Sequence, residues 1–351
     1  MTEVCIITAG DYSRWDDYVR SKGEAAPYHL TAWKQAVEAA YGHRGFYLLA
    51  EDGGKITGVL PLCALKPPII RGTLCSLPFC DMGGYLYDND DAKDALFRKA
   101  LEITKDHKLK KLEIRQGYIK SESEHSITVD GAQATKVQMG MALPSTSEEL
   151  WSKFKPKLRS QIRKAEKNGL TYSQGKSVED ITAFYNVYAV NMKKLGSPAH
   201  SLRWFLEIGR YYGECMLVGL VRLQDTVVGA GIVLLVGHKA TIPWASTLSP
   251  YNKYAPNMLL YWSLLKNSCD TDCRHFDFGR STYGEGTYKF KAQWGATPAT
   301  LDWRDYTPSG DEIKSAHKAP AIRPIIENVW SKAPLPLANS LGHRVRKYIS
   351  L

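Results

Sequence analysis

Two distant stretches of the chain follow one scheme, and this limits the fold more than anything else in the sequence. LLAEDGGKITGVLPLCAL (48–65) and LVGLVRLQDTVVGAGIVLLV (217–236) each run through an apolar segment, a polar turn, a β-branched residue, a glycine and a second apolar segment. Apolar runs of this length around Gly, Asp or Gln turns read as buried hairpin strands. Each hairpin precedes a helical pattern and one more strand: 91–107 then 111–115 in the first half, 257–268 then 275–278 in the second. Two unrelated hairpins would look similar, but one supersecondary plan used twice predicts an α/β protein of two like domains in tandem, each a mixed sheet flanked by helices. A length of 351 residues suits that number.

Other elements fall around this frame. Leu30, Trp33, Val37 and Ala40 have helical spacing, and Gly42 ends their helix. Pro144-Ser145-Thr146-Ser147 reads as the domain boundary, with Ser145 and Glu148 as a capping box. This predicts a first domain at 1–144, a second at 145–307 and a basic, proline-containing tail at 308–351. Pro156 opens the second of two helices in the basic segment that follows, and Leu158, Ile162 and Ala165 share its apolar face.

The net charge of +10 is uneven: 145–169 and 308–351 carry +4 each. Such segments are either solvated faces or contacts for phosphates, nucleic acid or an anionic membrane. The cysteine count of 7 is odd and contains no C-x-x-C, which speaks for a reducing compartment. Cys269, Cys273 and His275 match no common zinc spacing, so no metal is expected. No leader-like start and no spanning apolar run is present, which predicts a cytoplasmic protein, with peripheral contact at the inner membrane face left open. Proline and apolar residues among basic ones in the tail fit a membrane-surface helix or packing on the body.

Several segments resemble the FemAB-like double-GNAT family. KPKLRSQIRKAEKNGL (155–170) is similar to its basic helix, MKKLGSPAHSLRWF (192–205) to its M-x-x-L-G-[ST]-P stretch, and SLPFCDMGGYLYD (76–88) to a first-domain stretch. YAPNMLLYWSLL (254–265) and FDFGRSTYGEGTYKFKAQWGA (276–296) resemble its second-domain helix and the following strand-loop-strand; the latter string is the most specific. With the tail 329–349, these segments resemble the exosortase/PEP-CTERM-associated members carrying a BioF2-like acetyltransferase domain. The resemblance implies acyl transfer to a polysaccharide or other cell-envelope precursor, with acyl-CoA, such as acetyl-CoA, or aminoacyl-tRNA as donor. Founding members use aminoacyl-tRNA to build peptidoglycan peptides. This chain lacks their long coiled-coil insertion and a clear R/Q-x-x-G-x-G/A pyrophosphate loop.

Direct acyl transfer needs a base, a stabiliser of the carbonyl oxygen and alignment of two substrates. The candidate catalytic residues are Asp277, Arg280, Ser281 and Lys291. Asp277 lies between two Phe on a strand and is either a base or a structural partner of Arg280. Gly279 permits a sharp turn, placing Arg280 and Ser281 at a strand end, where a guanidinium suits phosphate or carboxylate. Around Gly284 and Gly286 a flap leads into an alternating strand, with Tyr288 on one face and Lys289 and Lys291 on the other. Tyr254 and Asn257 precede an apolar helix that Asn257 is placed to cap. Trp204 and Trp244 either wall the acceptor pocket or pack in the core. Arg159 and Arg163 belong to a basic stripe that is either a solvated face or a contact for the phosphates of a diphosphate-linked precursor, CoA or tRNA. His200 is a secondary base candidate, and Cys80 has no nearby His to activate it. A non-catalytic lipid- or nucleic-acid-binding protein is the alternative outside enzymology.

Overall fold

The computed structural model describes residues 2–117, 136–313 and 330–350. They gather into two units: Met1–Ser126 with Thr300–Lys318 and Lys347–Leu351, and Ile127–Ala299 with Ala319–Arg346.

The first unit runs β1 (Glu3–Ile6), α1 (Tyr12–Ser21), α2 (Thr31–Tyr41), β2 (Arg44–Asp52), β3 (Lys55–Leu65), β4 (Thr73–Cys75), β5 (Leu86–Tyr87), α3 (Asp90–Asp106) and β6 (Lys111–Gln116). The predicted hairpin is β2–β3, turning at Gly53 and Gly54, whose φ of 55° and 79° suit glycine. Trp33, Ala36 and Val37 bury one face of α2, and Gly42 at φ 70° closes it. Asn89 caps α3 by accepting from the Ala92 N–H at 2.9 Å. β6 then returns parallel to β4.

The second unit runs β7 (Lys136–Ala142), α4 (Ser147–Lys153), α5 (Pro156–Lys167), β8 (Leu170–Gly175), α6 (Val178–Lys194), α7 (Leu202–Tyr212), β9 (Met216–Leu223), β10 (Thr226–Val236), β11 (Lys239–Thr247), α8 (Pro256–Asp270), β12 (His275–Thr282), α9 (Gly286–Ala292) and β13 (Thr297–Thr300). Strands follow the order β13-β7-β12-β11-β10-β9-β8. The plan of the first unit recurs: a strand and two helices, a hairpin, a third strand, a helix, and a last strand parallel to the third. The apolar stripe Leu158, Ile162 and Ala165 of α5 is buried as expected.

Three expectations give way. The strand 136–142, assigned by sequence to the first domain, pairs antiparallel with β12, so the division falls ahead of it and not at Pro144. In exchange, β14 (Asp302–Tyr306) and β15 (Glu312–Ile313) complete the first unit's sheet, β14 lying against β6. Thr146, not Ser145, caps α4, accepting from the Glu149 N–H at 3.2 Å. Residues 286–292, read as an alternating strand, form the helix α9. Its two aromatic residues are half-buried against different partners: Tyr288 packs on Tyr283 at 4.7 Å and Phe290 on Tyr261 at 5.0 Å.

Part of the tail, 314–329 with Pro320 and Pro324, lies outside the described residues. Beyond it α10 (Leu335–Arg346) packs on the second unit through Ala338 and Gly342. No helix among the described residues is long and apolar enough to cross a membrane.

Candidate active site

β11 and β12 lie side by side for only three rungs, Lys239↔His275 to Thr241↔Asp277, although β11 continues to Thr247 and β12 to Thr282. Past Thr241 and Asp277 the two strands part within the sheet. Backbone N–H and C=O groups on the facing edges then have no ladder partners, an arrangement that favours an inserted hydrogen-bonding ligand.

The parting has a local cause. Gly279 has φ 75°, and the β12–β7 register shifts between Asp277 and Arg280. This is a bulge, which re-aims the strand that carries it. Asp277 braces it from inside. Its buried carboxylate accepts from the Gly279 N–H at 2.8 Å and, through the same Oδ1, from Gln138 Nε2 on β7. Lys291 braces it from outside: Nζ donates to the carbonyls of Gly279 at 2.9 Å and Arg280 at 2.8 Å. Lys291 was expected to meet a substrate carbonyl or phosphate; it is buried, and the carbonyls it holds belong to its own chain. The helical form of α9 explains this, since Lys291 sits one turn beyond Tyr288 on the inward side.

Beyond the bulge, Ser281 is buried and its Oγ has no hydrogen-bond partner among the described residues. The hydroxyl of the next residue, Thr282, accepts from Lys136 Nζ. Arg280 is half-buried. Across the wedge, β11 contributes Trp244 and Ser246, both buried, and the Ser246 hydroxyl accepts from Asn191 Nδ2 at 3.2 Å.

Other sequence candidates fall elsewhere. Trp204 is fully buried, edge-to-face with Trp244 at 6.2 Å and stacked on His200 at 5.5 Å, so it belongs to the core and not to a pocket wall. His200 is buried as well, and desolvation, with Arg346 nearby, holds it well below the usual imidazole range. A base used near neutrality does not need so low a value. Asn257 does not cap α8: Ala255 takes that place, Pro256 is the first helical residue and Asn257 lies inside the first turn. Tyr254 is half-buried, and its carbonyl accepts from Asn168 Nδ2 at 3.3 Å. Lys289 is exposed. Arg159 is half-buried on α5, and the exposed Arg163 lies over the Trp151 ring at 5.4 Å. Cys80 is buried and its thiol is pushed well up by desolvation, which leaves it a poor nucleophile.

A cavity of about 140 Å³ opens where the α4–α5 junction meets the end of α9, lined by Leu150, Phe154, Lys155, Gln293 and Trp294 among others. Asp277, Arg280, Ser281 and Lys291 are not among its lining residues. Sequence reasoning missed this cavity and missed Gln138. Only the β7–β12 register, which sets Gln138 opposite Arg280, brings the amide to Asp277. No cluster of three or more His, Cys, Asp or Glu that could hold a metal ion occurs among the described residues.

Residues 152–292 match the acetyltransferase (GNAT) domain family. No curated protein sequence matches the chain. Among solved structures, FemX superposes with a TM-score of 0.68 at 17% identity, over 87% of this chain and 97% of that one. A tandem GNAT protein from the clavulanic acid biosynthesis pathway gives 0.56 at 12%, over 89% and 100%. L-PGS from Bacillus licheniformis gives 0.52 at 11%, over 92% and 97%. The chain therefore has a tandem GNAT fold similar to that of FemX, and residues 152–292 match the acetyltransferase (GNAT) domain.

Proposed function

We propose that this acyltransferase moves an acyl group from an activated donor to an amine or hydroxyl of a polysaccharide or cell-envelope precursor, at the wedge between β11 and β12. The parting of those parallel strands at Asp277, inside the domain that matches the acetyltransferase family, carries the reading. An amide-bearing donor arm such as that of acetyl-CoA would pair with the opened strand edges. The acceptor nitrogen or oxygen then attacks the donor carbonyl, the thioester C–S bond breaks, and the acceptor's proton passes to the leaving sulfur by way of a base. Asp277 is the proposed base, and Ser281, further along the same strand, is assigned to a hydrogen bond with the substrate. Arg280 is assigned to an anionic group of donor or acceptor, because its fork suits phosphate and carboxylate. Gln138 and Lys291 position the bulge.

A second reading uses aminoacyl-tRNA as donor. The basic face of α5, with Lys155, Lys157, Arg163, Lys164 and Lys167 exposed, favours it, as phosphate contacts dominate affinity for nucleic acid. The full-length chain would be incubated with envelope precursors and either acetyl-CoA or charged tRNA, and products read by mass. Acetyl-CoA turnover insensitive to ribonuclease supports the first reading; a ribonuclease-sensitive aminoacyl product supports the second. Full turnover by a folded Asp277→Ala, Arg280→Ala double variant would remove this site from either reaction.

A further inference from the structure

We propose that the outward face of α10 is a docking surface for an anionic lipid bilayer. This goes beyond the acyl-transfer reading and does not depend on it. Leu337, Leu341 and Val345, each four residues from the last, are 50%, 44% and 47% exposed. Steps of four keep side chains on one face of a helix. Ala338 and Gly342, each one residue on and so about 100° further around the helix, take the adjoining side. Ala338 is buried, and a Cβ added at Gly342 would lie 3.3 Å from the Trp330 ring and 3.4 Å from the Ala199 backbone. The helix is therefore seated on the second unit by its small residues, with its large aliphatic residues turned to solvent.

Charge selects the occupant. Between 330 and 351 the chain has no Asp or Glu but contains Lys332, Arg344, Arg346 and Lys347. Arg344 is exposed, within the turn that separates Leu341 from Val345. Aliphatic side chains can enter the headgroup–acyl boundary of a bilayer while arginine and lysine reach lipid phosphates. A protein partner is the weaker match, because the stripe has no aromatic anchor and is flanked by basic residues.

The test is flotation of the full-length protein with vesicles of phosphatidylcholine alone or mixed with phosphatidylglycerol. The protein is expected to float with the anionic vesicles and to be released as salt is raised. Leu341→Glu is expected to lower partitioning roughly tenfold or more, and Arg344→Gln several-fold (on the order of one lipid-facing charge). Val178→Glu, at an exposed position opening α6, is expected to change nothing. Thermal melts of the variants verify that they fold. Equal flotation on both vesicle types, wild-type partitioning by both α10 variants, or an equal loss with Val178→Glu would overturn the proposal. A dimer in sedimentation that Leu341→Glu dissociates, without vesicle binding, would overturn it too and assign the stripe to a second copy.

Discussion

The ammonium of Lys291, in the last turn of α9, donates 2.9 Å to the carbonyl of Gly279 in the bulge of β12. A buried cation is costly to desolvate, and here two main-chain carbonyls receive it. The contact ties a short helix to the point where the sheet opens. Lys291→Met should lower stability by about 2–4 kcal/mol and reduce acyl transfer, whereas Lys291→Arg should recover part of both. Urea unfolding with a parallel turnover assay reads this; an unchanged midpoint would mean that the tie contributes little.

Gly279 sits at φ 75°, where an added Cβ meets nothing closer than 3.7 Å. Substitution is therefore opposed by backbone strain and not by crowding. Gly279→Ala should cost about 1–2 kcal/mol. A cost near zero would show that the bulge relaxes to another conformation.

Asp277→Asn keeps an acceptor for the Gly279 N–H but removes the charge and the capacity to take a proton. Folding should be nearly retained, while turnover falls about 100-fold or more if Asp277 is the base. Circular dichroism beside initial rates separates the two effects, and wild-type rates would leave Asp277 with a purely structural role.

Trp204 has no exposed surface. Trp204→Ala should therefore act on stability, by about 3–5 kcal/mol, and Trp204→Phe by less. Measured KM in the Phe variant should stay near wild type; a large KM change at unchanged stability would return Trp204 to the acceptor pocket.

Two histidines of the second unit predict acid sensitivity. Burial, with Lys239 adding to it, moves His275 from 6.5 to about 4, and burial with Arg346 depresses His200 also. The folded form takes up these protons less readily than the unfolded chain, so the stabilisation is complete above about pH 6.5 and lost as pH falls toward 4. Each histidine contributes a slope of at most ~1.4 kcal/mol per pH unit in that window. Urea midpoints at several pH values should fall accordingly, and His275→Gln should flatten the curve. The same slope in His275→Gln and His200→Gln would assign it to other groups.

Local chemistry made much of the architecture legible. The paired hairpins, the helices ending at Gly42 or opening at Pro156, and the apolar stripe of α5 depend on turn geometry, proline and periodicity, which act over a few residues. The turn at Gly279 was likewise visible, because a glycine ending an apolar strand permits a backbone bend that other residues resist. Tertiary structure alone decided the rest. The strand 136–142 joins the sheet of the second unit, since a strand's partner is chosen by edge and register, not by its neighbours in sequence. Residues 286–292 form a helix, not the expected strand, and its contacts are made to residues outside it: Phe290 packs on Tyr261, and the Lys291 ammonium reaches the carbonyls of Gly279 and Arg280. That change turned Lys291 inward and Lys289 outward, converting an expected catalytic lysine into a brace. Burial likewise decided whether Trp204 and His200 face a ligand or the core, for it depends on the whole fold, whereas a sequence displays only what each residue is able to do.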